Sequence, residues 1–340
     1  MVAELPGSKL MVVYQKYEAG AESGHDFGRS RIWSRISHDA GATWVEPRML
    51  VDVAPGDVNV MHPVILRLPS GELLFGCTST HSGKSSTTMR LFRSSDDGKT
   101  FREDRPIWTR SHGWWGQGGG VSLLRLQSGR LLFPFQTVPP EPVKRPVTGE
   151  WTGCFWSDDS GRSWHMTKEK VELPGRGAME PTVAELEDGE LVMVLRTTLG
   201  GPYLSRSRDA GESWSDPQPT GLKSGDSCPL LRRIPGTNVL LLLWNNTPYI
   251  SEGHHHFGER TPLTAAVSSD SGRTWRVVGD LAMDPNSEYT NIGCTFTAEG
   301  RAIITYMAGK PAWTRRDLSL WCASVEKEWF LGPTVAQEKP

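Results

Sequence analysis

A short turn motif, S-x-D-x-G-x-[ST]-[WF], occurs five times in this chain of 340 residues. Its aspartates recur at intervals of roughly 50 to 60 residues and are Asp39, Asp96, Asp159, Asp209 and Asp270. The aspartate of such a turn can accept hydrogen bonds from nearby backbone N–H groups, and the glycine supplies a backbone conformation that other residues rarely adopt. The final aromatic residue gives each turn an apolar anchor. This spacing predicts one supersecondary unit that is used several times.

A second repeat consists of an apolar strand, a tight glycine turn and another apolar strand. Its six copies lie in residues 2–14, 63–76, 121–135, 181–195, 228–244 and 293–307. Apolar residues crowd both strands, as expected for strands packed between neighbouring sheets. The turn motif follows every copy except the sixth. Each unit therefore predicts four antiparallel strands, and six such sheets arranged radially predict an all-β, six-bladed propeller that spans residues 1–340 as a single domain.

The composition excludes several classes of partner. A formal net charge of −2 gives no reason to expect nucleic acid or a membrane surface. No apolar run approaches the roughly 20 residues that span a bilayer. The five cysteines are scattered without metal-ligand spacing, so we expect reduced thiols, no metal and no cofactor. No signal peptide is recognisable, and the location remains open: cytoplasmic as written, secreted if the natural chain begins earlier.

Propeller topology predicts where function lies. The turn motifs and the glycine turns share one face, so we expect the motifs to be structural. The connections into the innermost strands, and those between the second and third strands, share the opposite face, where a binding site is expected. The ionisable residues of that face are Asp26, His62, His112, Glu180, Arg196, His254–His256, Arg260, Tyr289 and Arg315.

The turn motif resembles the Asp box of the sialidase (neuraminidase) superfamily, whose BNR repeats form six-bladed propellers, and the resemblance covers essentially the whole chain. The segment MEPTVAELEDGELVMVLR is similar to the family's inner-strand glutamate and following arginine, which implies Glu180 and Arg196. The segment ERTPLTAAVSSDSGRTW implies a second arginine, Arg260. SEYTNIG implies Tyr289 as the nucleophile, and GHDFGRSRIWSRIS implies Asp26 as the acid/base.

The resemblance implies an exo-sialidase-type, retaining glycoside hydrolase that removes terminal sialic acid or a related acidic sugar. A neutral tyrosine avoids the repulsion that a carboxylate nucleophile would meet at the substrate's own carboxylate. Tyr289 would attack, Glu180 would accept its proton, and Asp26 would protonate the leaving oxygen and then activate water. Arg196 and Arg260 would bind the substrate carboxylate.

The family's third carboxylate-binding arginine would fall before Met1. Either the sequence begins late, or the site uses two arginines, or Arg315 or Arg316 takes the place. Further substrate contacts are expected from His62, Trp115 and His255. A metal on His254–His256 is disfavoured, because three consecutive loop residues rarely reach one ion.

Two other functions remain open at this point. One is a propeller that acts on a different acidic sugar, as a hydrolase or a lyase. The other is a propeller without catalytic activity that binds glycan or protein, since the fold hosts many functions. The sequence sets neither the sugar and linkage specificity nor the oligomeric state.

Overall fold

The computed structural model describes residues 1–18, 28–82, 86–113, 115–118, 122–137, 149–250, 260–310 and 318–332. Six mainly antiparallel sheets follow one another along this part of the chain, and consecutive strands pair within each sheet. The prediction of an all-β, six-bladed propeller is confirmed. A short helix, α1 (Lys327–Leu331), packs against the last two blades. No helix in the described ranges is long and apolar enough to cross a membrane.

The first three blades are meanders of successive strands. Blade 1 contains β1 (Val2–Leu5), β2 (Lys9–Tyr17), β3 (Ser30–Ser37) and β4 (Val45–Val51). Blade 2 contains β5 (Asp57–Arg67), β6 (Leu73–His81), β7 (Thr87–Ser94) and β8 (Arg102–Glu103). Blade 3 contains β9 (Gly116–Gly118), β10 (Leu124–Arg125), β11 (Leu131–Thr137), β12 (Trp151–Ser157), β13 (His165–Met166) and β14 (Val171–Glu172). Its inner and outer strands are each interrupted, since β9 and β10 both pair with β11, and β13 and β14 both pair with β12.

The last three blades complete the ring. Blade 4 contains β15 (Met179–Glu185), β16 (Leu191–Arg196), β17 (Tyr203–Ser207) and β18 (Gln218–Pro219). Blade 5 contains β19 (Leu230–Arg233), β20 (Leu240–Asn245), β21 (Leu263–Ser268) and β22 (Arg276–Ala282). Blade 6 contains β23 (Glu288–Phe296), β24 (Arg301–Gly309) and β25 (Ser319–Glu326). In the described residues blade 6 has three strands, and it is the blade whose sequence lacks the turn motif.

Each turn motif is held by its own hydrogen bonds, as the turn between β7 and β8 illustrates. The Ser94 hydroxyl donates to Asp96 Oδ1 (2.7 Å) and accepts from the Gly98 N–H (2.9 Å). The backbone N–H and the hydroxyl of Thr100 both donate to the Asp96 carboxylate (2.9 and 2.6 Å). The Thr100 bonds, followed by the Ser94 bond, hold the pKa of Asp96 well below its usual range. The motif therefore stabilises its own turn.

Ser94→Ala tests this network. The Ser94 side chain is buried, and its removal leaves the Gly98 N–H without its partner, so we expect unfolding to cost about 1–3 kcal/mol less. The neighbouring Ser95 is exposed, and Ser95→Ala is the matched control, with an expected effect below about 0.5 kcal/mol. Denaturant unfolding of both variants gives the two values. If the two variants lost the same free energy of unfolding, the hydrogen bonds of Ser94 would contribute nothing to the stability of the turn.

The hydrophobic core lies between adjacent blades rather than within one centre. Apolar side chains from each pair of neighbouring blades form a buried cluster, such as that between blades 5 and 6. The cluster between blade 6 and blade 1 is much smaller, with Val2, Leu10, Val12 and Ile303 as its fully buried members. The seam between the last and first blades is therefore the most thinly packed in the described structure.

The innermost strands of blades 2, 4 and 6 share a local irregularity. Each contains a β-bulge at a residue other than glycine whose φ is positive: His62 (54°), Glu180 (42°) and Asn291 (52°). A left-handed backbone conformation costs such a residue about 1–2 kcal/mol. Bulges re-aim side chains and are frequent beside functional sites. The three bulges therefore mark the region in which a site is expected.

Candidate functional site

A cavity of about 630 Å³ opens where the three bulges meet. His62, Glu180 and Asn291 line it together with Cys228, and it continues outward along the seam between blades 6 and 1 as far as Trp321. Three of these four residues, His62, Glu180 and Cys228, are each followed directly by a proline. Equivalent positions of four inner strands therefore converge on one cavity.

The charged side chains of the cavity wall are one carboxylate, Glu180, and two cations, Lys16 and Arg35. Arg35 donates to the Tyr14 hydroxyl (3.4 Å) and to the Trp44 carbonyl (2.9 Å), and the Lys16 ammonium lies 5.0 Å from the centre of the Trp33 ring. Neither cation forms an ion pair with a carboxylate in the described part of the chain. The wall therefore carries an excess of positive charge, which attracts anionic ligands.

Glu180 is held in a defined position at the cavity wall. Its Oε2 accepts from Arg196 Nη1 (2.7 Å) and from the Cys228 thiol (2.5 Å). Burial alone would raise the pKa of Glu180, but Arg196, the Cys228 thiol and the nearby Arg260 outweigh it and lower the pKa to about 2. The Glu180 carboxylate is therefore ionised at neutral pH. It can accept hydrogen bonds and stabilise positive charge, but it has no proton to donate.

Arg196 and Arg260 lie behind Glu180 and are not among the residues that line the cavity. Arg196 is 5% exposed, and its Nε donates to Asp226 Oδ1 (2.6 Å). Arg260 is 6% exposed; its Nη1 donates to Thr290 Oγ1 (2.7 Å) and its Nη2 to the Asp226 carbonyl (3.4 Å). In this arrangement buried protein groups bind both guanidinium groups, and their binding of a substrate carboxylate stays a prediction.

Tyr289 was expected beside Glu180, but it lies in the core between blades 5 and 6. Its side chain is 5% exposed and packs edge-on against Tyr306, with 5.8 Å between the ring centres. Its hydroxyl accepts from the Asp284 N–H (2.9 Å). The bulge between Thr290 and Gly293 presents Asn291 to the cavity instead. The predicted contact between Tyr289 and the Glu180 carboxylate is therefore not part of the described structure.

The other predicted contacts fall in different places. His62 lies on the cavity wall, and its backbone N–H donates to Gln15 Oε1 (3.2 Å). Trp115 is not on that wall, and its indole N–H donates to Gln117 Oε1 (3.3 Å). Asp26, His255 and Arg315 lie outside the described residues. Within the described residues no group of three or more His, Cys, Asp or Glu could hold a metal ion.

Sequence reasoning missed Asn291, Cys228 and Asp226. A signal for the first two is present in the sequence. Leu186 and Thr297 are the residues that open the glycine turns of blades 4 and 6. Asn291 precedes Thr297 by the same number of residues as Glu180 precedes Leu186. Asp226 lies in the connection that leads into the inner strand of blade 5, but nothing in the sequence pairs it with Arg196, which is 30 residues away.

Comparison with known proteins agrees with the fold. The model of a family described as BNR repeat-like domain matches residues 8–294. Hadza microbial sialidase Hz136 matches with 20% identity and a TM-score of 0.68, over 95% of this chain and 64% of its own. Trypanosoma rangeli sialidase matches with 17% identity and a TM-score of 0.74, over 97% and 55%. A protein of unknown function from Dyadobacter fermentans matches with 16% identity and a TM-score of 0.71, over 96% and 93%.

This chain is thus shorter than the two sialidases, of which it spans 64% and 55%. At these identities the structural matches bear on the fold alone. The family model, in contrast, covers most of the sequence. The chain belongs to the BNR repeat-like domain family, and its six-bladed propeller is the fold of the sialidases.

Proposed function

We propose that this chain is a glycoside hydrolase of the sialidase type that removes a terminal acidic sugar, sialic acid or a relative of it. The observation that carries the proposal is an ionised carboxylate, Glu180, fixed at the wall of a cavity whose other charged groups are cations. Solved structures of the same fold include a Trypanosoma rangeli sialidase in complex with sialic acid. They support the class of substrate without fixing it.

The chemistry of glycoside cleavage explains why such a carboxylate is useful. The transition state resembles an oxocarbenium ion, with positive charge on the anomeric carbon and the ring oxygen. A carboxylate that stays ionised and is already oriented stabilises that charge without further reorganisation. Lys16 and Arg35 would attract the carboxylate of the sugar. Asp26 remains the proposed acid that protonates the leaving oxygen.

Turnover of a panel of aryl glycosides tests the proposal. The 4-methylumbelliferyl α-sialoside and the corresponding β-glucuronide offer two acidic sugars, and the β-galactoside is the neutral control. We expect fluorophore release from at least one acidic sugar and none from the galactoside. A folded protein that releases the fluorophore from neither acidic sugar would contradict a hydrolase.

One observation favours a second function, an acidic-glycan-binding propeller without catalytic activity. Tyr289, the predicted nucleophile, packs in the core between blades 5 and 6 and is not among the residues that line the cavity with Glu180. Calorimetric titration with free sialic acid and with glucuronic acid distinguishes the two functions. If the parent protein bound either sugar saturably but cleaved none of the aryl glycosides, the binding function would be established in place of the hydrolase.

Tyr289→Phe reverses the expectation drawn from the sequence. Because the hydroxyl accepts a backbone N–H in the core, we expect turnover to stay within about twofold, while the free energy of unfolding falls by about 1 kcal/mol. Tyr306→Phe is the control, because it removes the hydroxyl of the ring that packs against Tyr289. A folded Tyr289→Phe protein without turnover would restore the tyrosine as nucleophile.

A further inference from the structure

We propose that Asp226 is a positioning residue that fixes the Glu180 carboxylate through Arg196; this inference rests on the proposed function of Glu180. Asp226 is 5% exposed and is not among the residues of the cavity wall. Its influence on a ligand would therefore pass through other side chains.

Asp226 collects hydrogen bonds from three arginines. Its Oδ1 accepts from Arg196 Nε (2.6 Å), and its Oδ2 accepts from Arg176 Nη1 (2.8 Å). Its backbone carbonyl accepts from Arg260 Nη2 (3.4 Å). The Arg196 guanidinium is thus held on one edge by Asp226 while it donates to Glu180 with Nη1. A planar guanidinium fixed in this way presents its remaining donors in one orientation.

The connection returns to Glu180 by a second route. Arg176 Nη2 donates to Glu150 Oε1 (3.0 Å), and Glu150 Oε2 accepts from Gln136 Nε2 (2.8 Å). The other end of that amide, Gln136 Oε1, accepts from the backbone N–H of Glu180 (2.5 Å). Glu180 is therefore held at both its backbone and its carboxylate by one closed circuit of side chains.

The circuit alternates in charge and is largely buried. Glu150, Arg176, Asp226, Arg196 and Glu180 follow one another as anion, cation, anion, cation and anion. The side chains of Glu150 and Asp226 are less than one-tenth exposed. A network in which every member has its partner specifies one arrangement, whereas a broken one leaves a buried charge.

The circuit also accounts for the backbone of Glu180. A glutamate with φ of 42° persists only when its surroundings hold it there. The hydrogen bond from its N–H to Gln136 and the bond from Arg196 to its carboxylate supply that restraint at both ends. Asp226 is the point at which the two routes join, so its charge should determine where the Glu180 carboxylate points.

Asp226→Asn tests the inference with two readouts. The amide keeps the size of Asp226 but presents an N–H₂ group to one of the two arginines. We expect a crystal structure to show the Glu180 carboxylate displaced from Arg196, and kcat on the acidic glycoside to fall 10- to 100-fold with KM within about threefold. Asp104→Asn is the matched control, since Asp104 accepts from Arg93 Nε (2.6 Å) in blade 2. It should change neither Glu180 nor kcat.

The structural readout keeps the inference separate from the proposed function. If the parent turns over no acidic sugar, the proposed function fails, while a displaced Glu180 in Asp226→Asn still supports positioning by Asp226. A Glu180 carboxylate that stays on Arg196 would overturn the inference whatever the kinetics. If Asp226→Asn does not fold, Gln136→Met opens the circuit without removing a charge. Glu180 should then lose its left-handed backbone, and an unchanged Glu180 would again overturn the inference.

Discussion

Glu180→Gln is expected to lower kcat on an acidic aryl glycoside by about 10²–10³-fold. The substitution keeps the shape of the side chain and removes the negative charge that, in the proposed function, would face the anomeric carbon. It also replaces one carboxylate oxygen by an N–H₂ donor, which cannot accept a hydrogen bond from Arg196 or from the Cys228 thiol. Initial rates of fluorophore release at saturating substrate give kcat directly.

Glu187→Gln is the control for this experiment. Glu187 stands beside the glycine turn of the same blade, on the opposite face, and its side chain is 57% exposed. It should turn over substrate like the parent. A folded Glu180→Gln protein with parental kcat would refute Glu180 as the reactive carboxylate.

Arg196→Met is expected to lower the free energy of unfolding by about 3–5 kcal/mol. Arg196 lies between two largely buried carboxylates, and its removal leaves Glu180 and Asp226 without the cation that both contact. The exposed pair of Arg301 with Glu326 provides the control, since Arg301→Met should cost less than about 1 kcal/mol. Urea unfolding at neutral pH compares the two variants. A loss below about 1 kcal/mol in Arg196→Met would contradict the arrangement.

The effect of Arg196→Met should shrink as the pH falls. In the parent the pKa of Glu180 is lowered to about 2, so its contribution to stability is present above the unfolded-state pKa of about 4.3 and is lost as the pH falls through the folded-state value. In the variant the main cation that lowers the pKa is gone, and burial then raises the pKa of the carboxylate. Protonation removes the uncompensated charge, so the two proteins should become more alike towards pH 4.

The blade count could be predicted from the sequence because its signals are local. Each turn motif is a set of hydrogen bonds within a few residues, as at Ser94 and Asp96, and needs no distant partner. The interruption of the inner strand of blade 3 was not predicted. The glycines of β9 permit close packing on aromatic rings. A Cβ on Gly116 would lie 2.5 Å from Trp108, and a Cβ on Gly118 would lie 2.7 Å from Phe133.

The site could be predicted only in part. Glu180 and Arg196 lie close together because Glu180 is near the start of β15 and Arg196 ends β16, and these two strands pair antiparallel. Tyr289 packs in the core, and the bulge between Thr290 and Gly293 places Asn291 on the cavity wall instead. The role of Asp226 depends on contacts across blades that no local pattern encodes. The assignment of Asp26 as the acid remains a prediction.

In the proposed function an acidic sugar binds against Glu180, with its carboxylate directed to the cations of the cavity wall. A crystal structure of Glu180→Gln soaked with an α-sialoside tests it most directly. We predict the anomeric carbon beside residue 180 and the sugar carboxylate near Lys16 or Arg35. A sugar bound away from residue 180, or no sugar in the cavity at saturating concentration, would contradict this mode of binding.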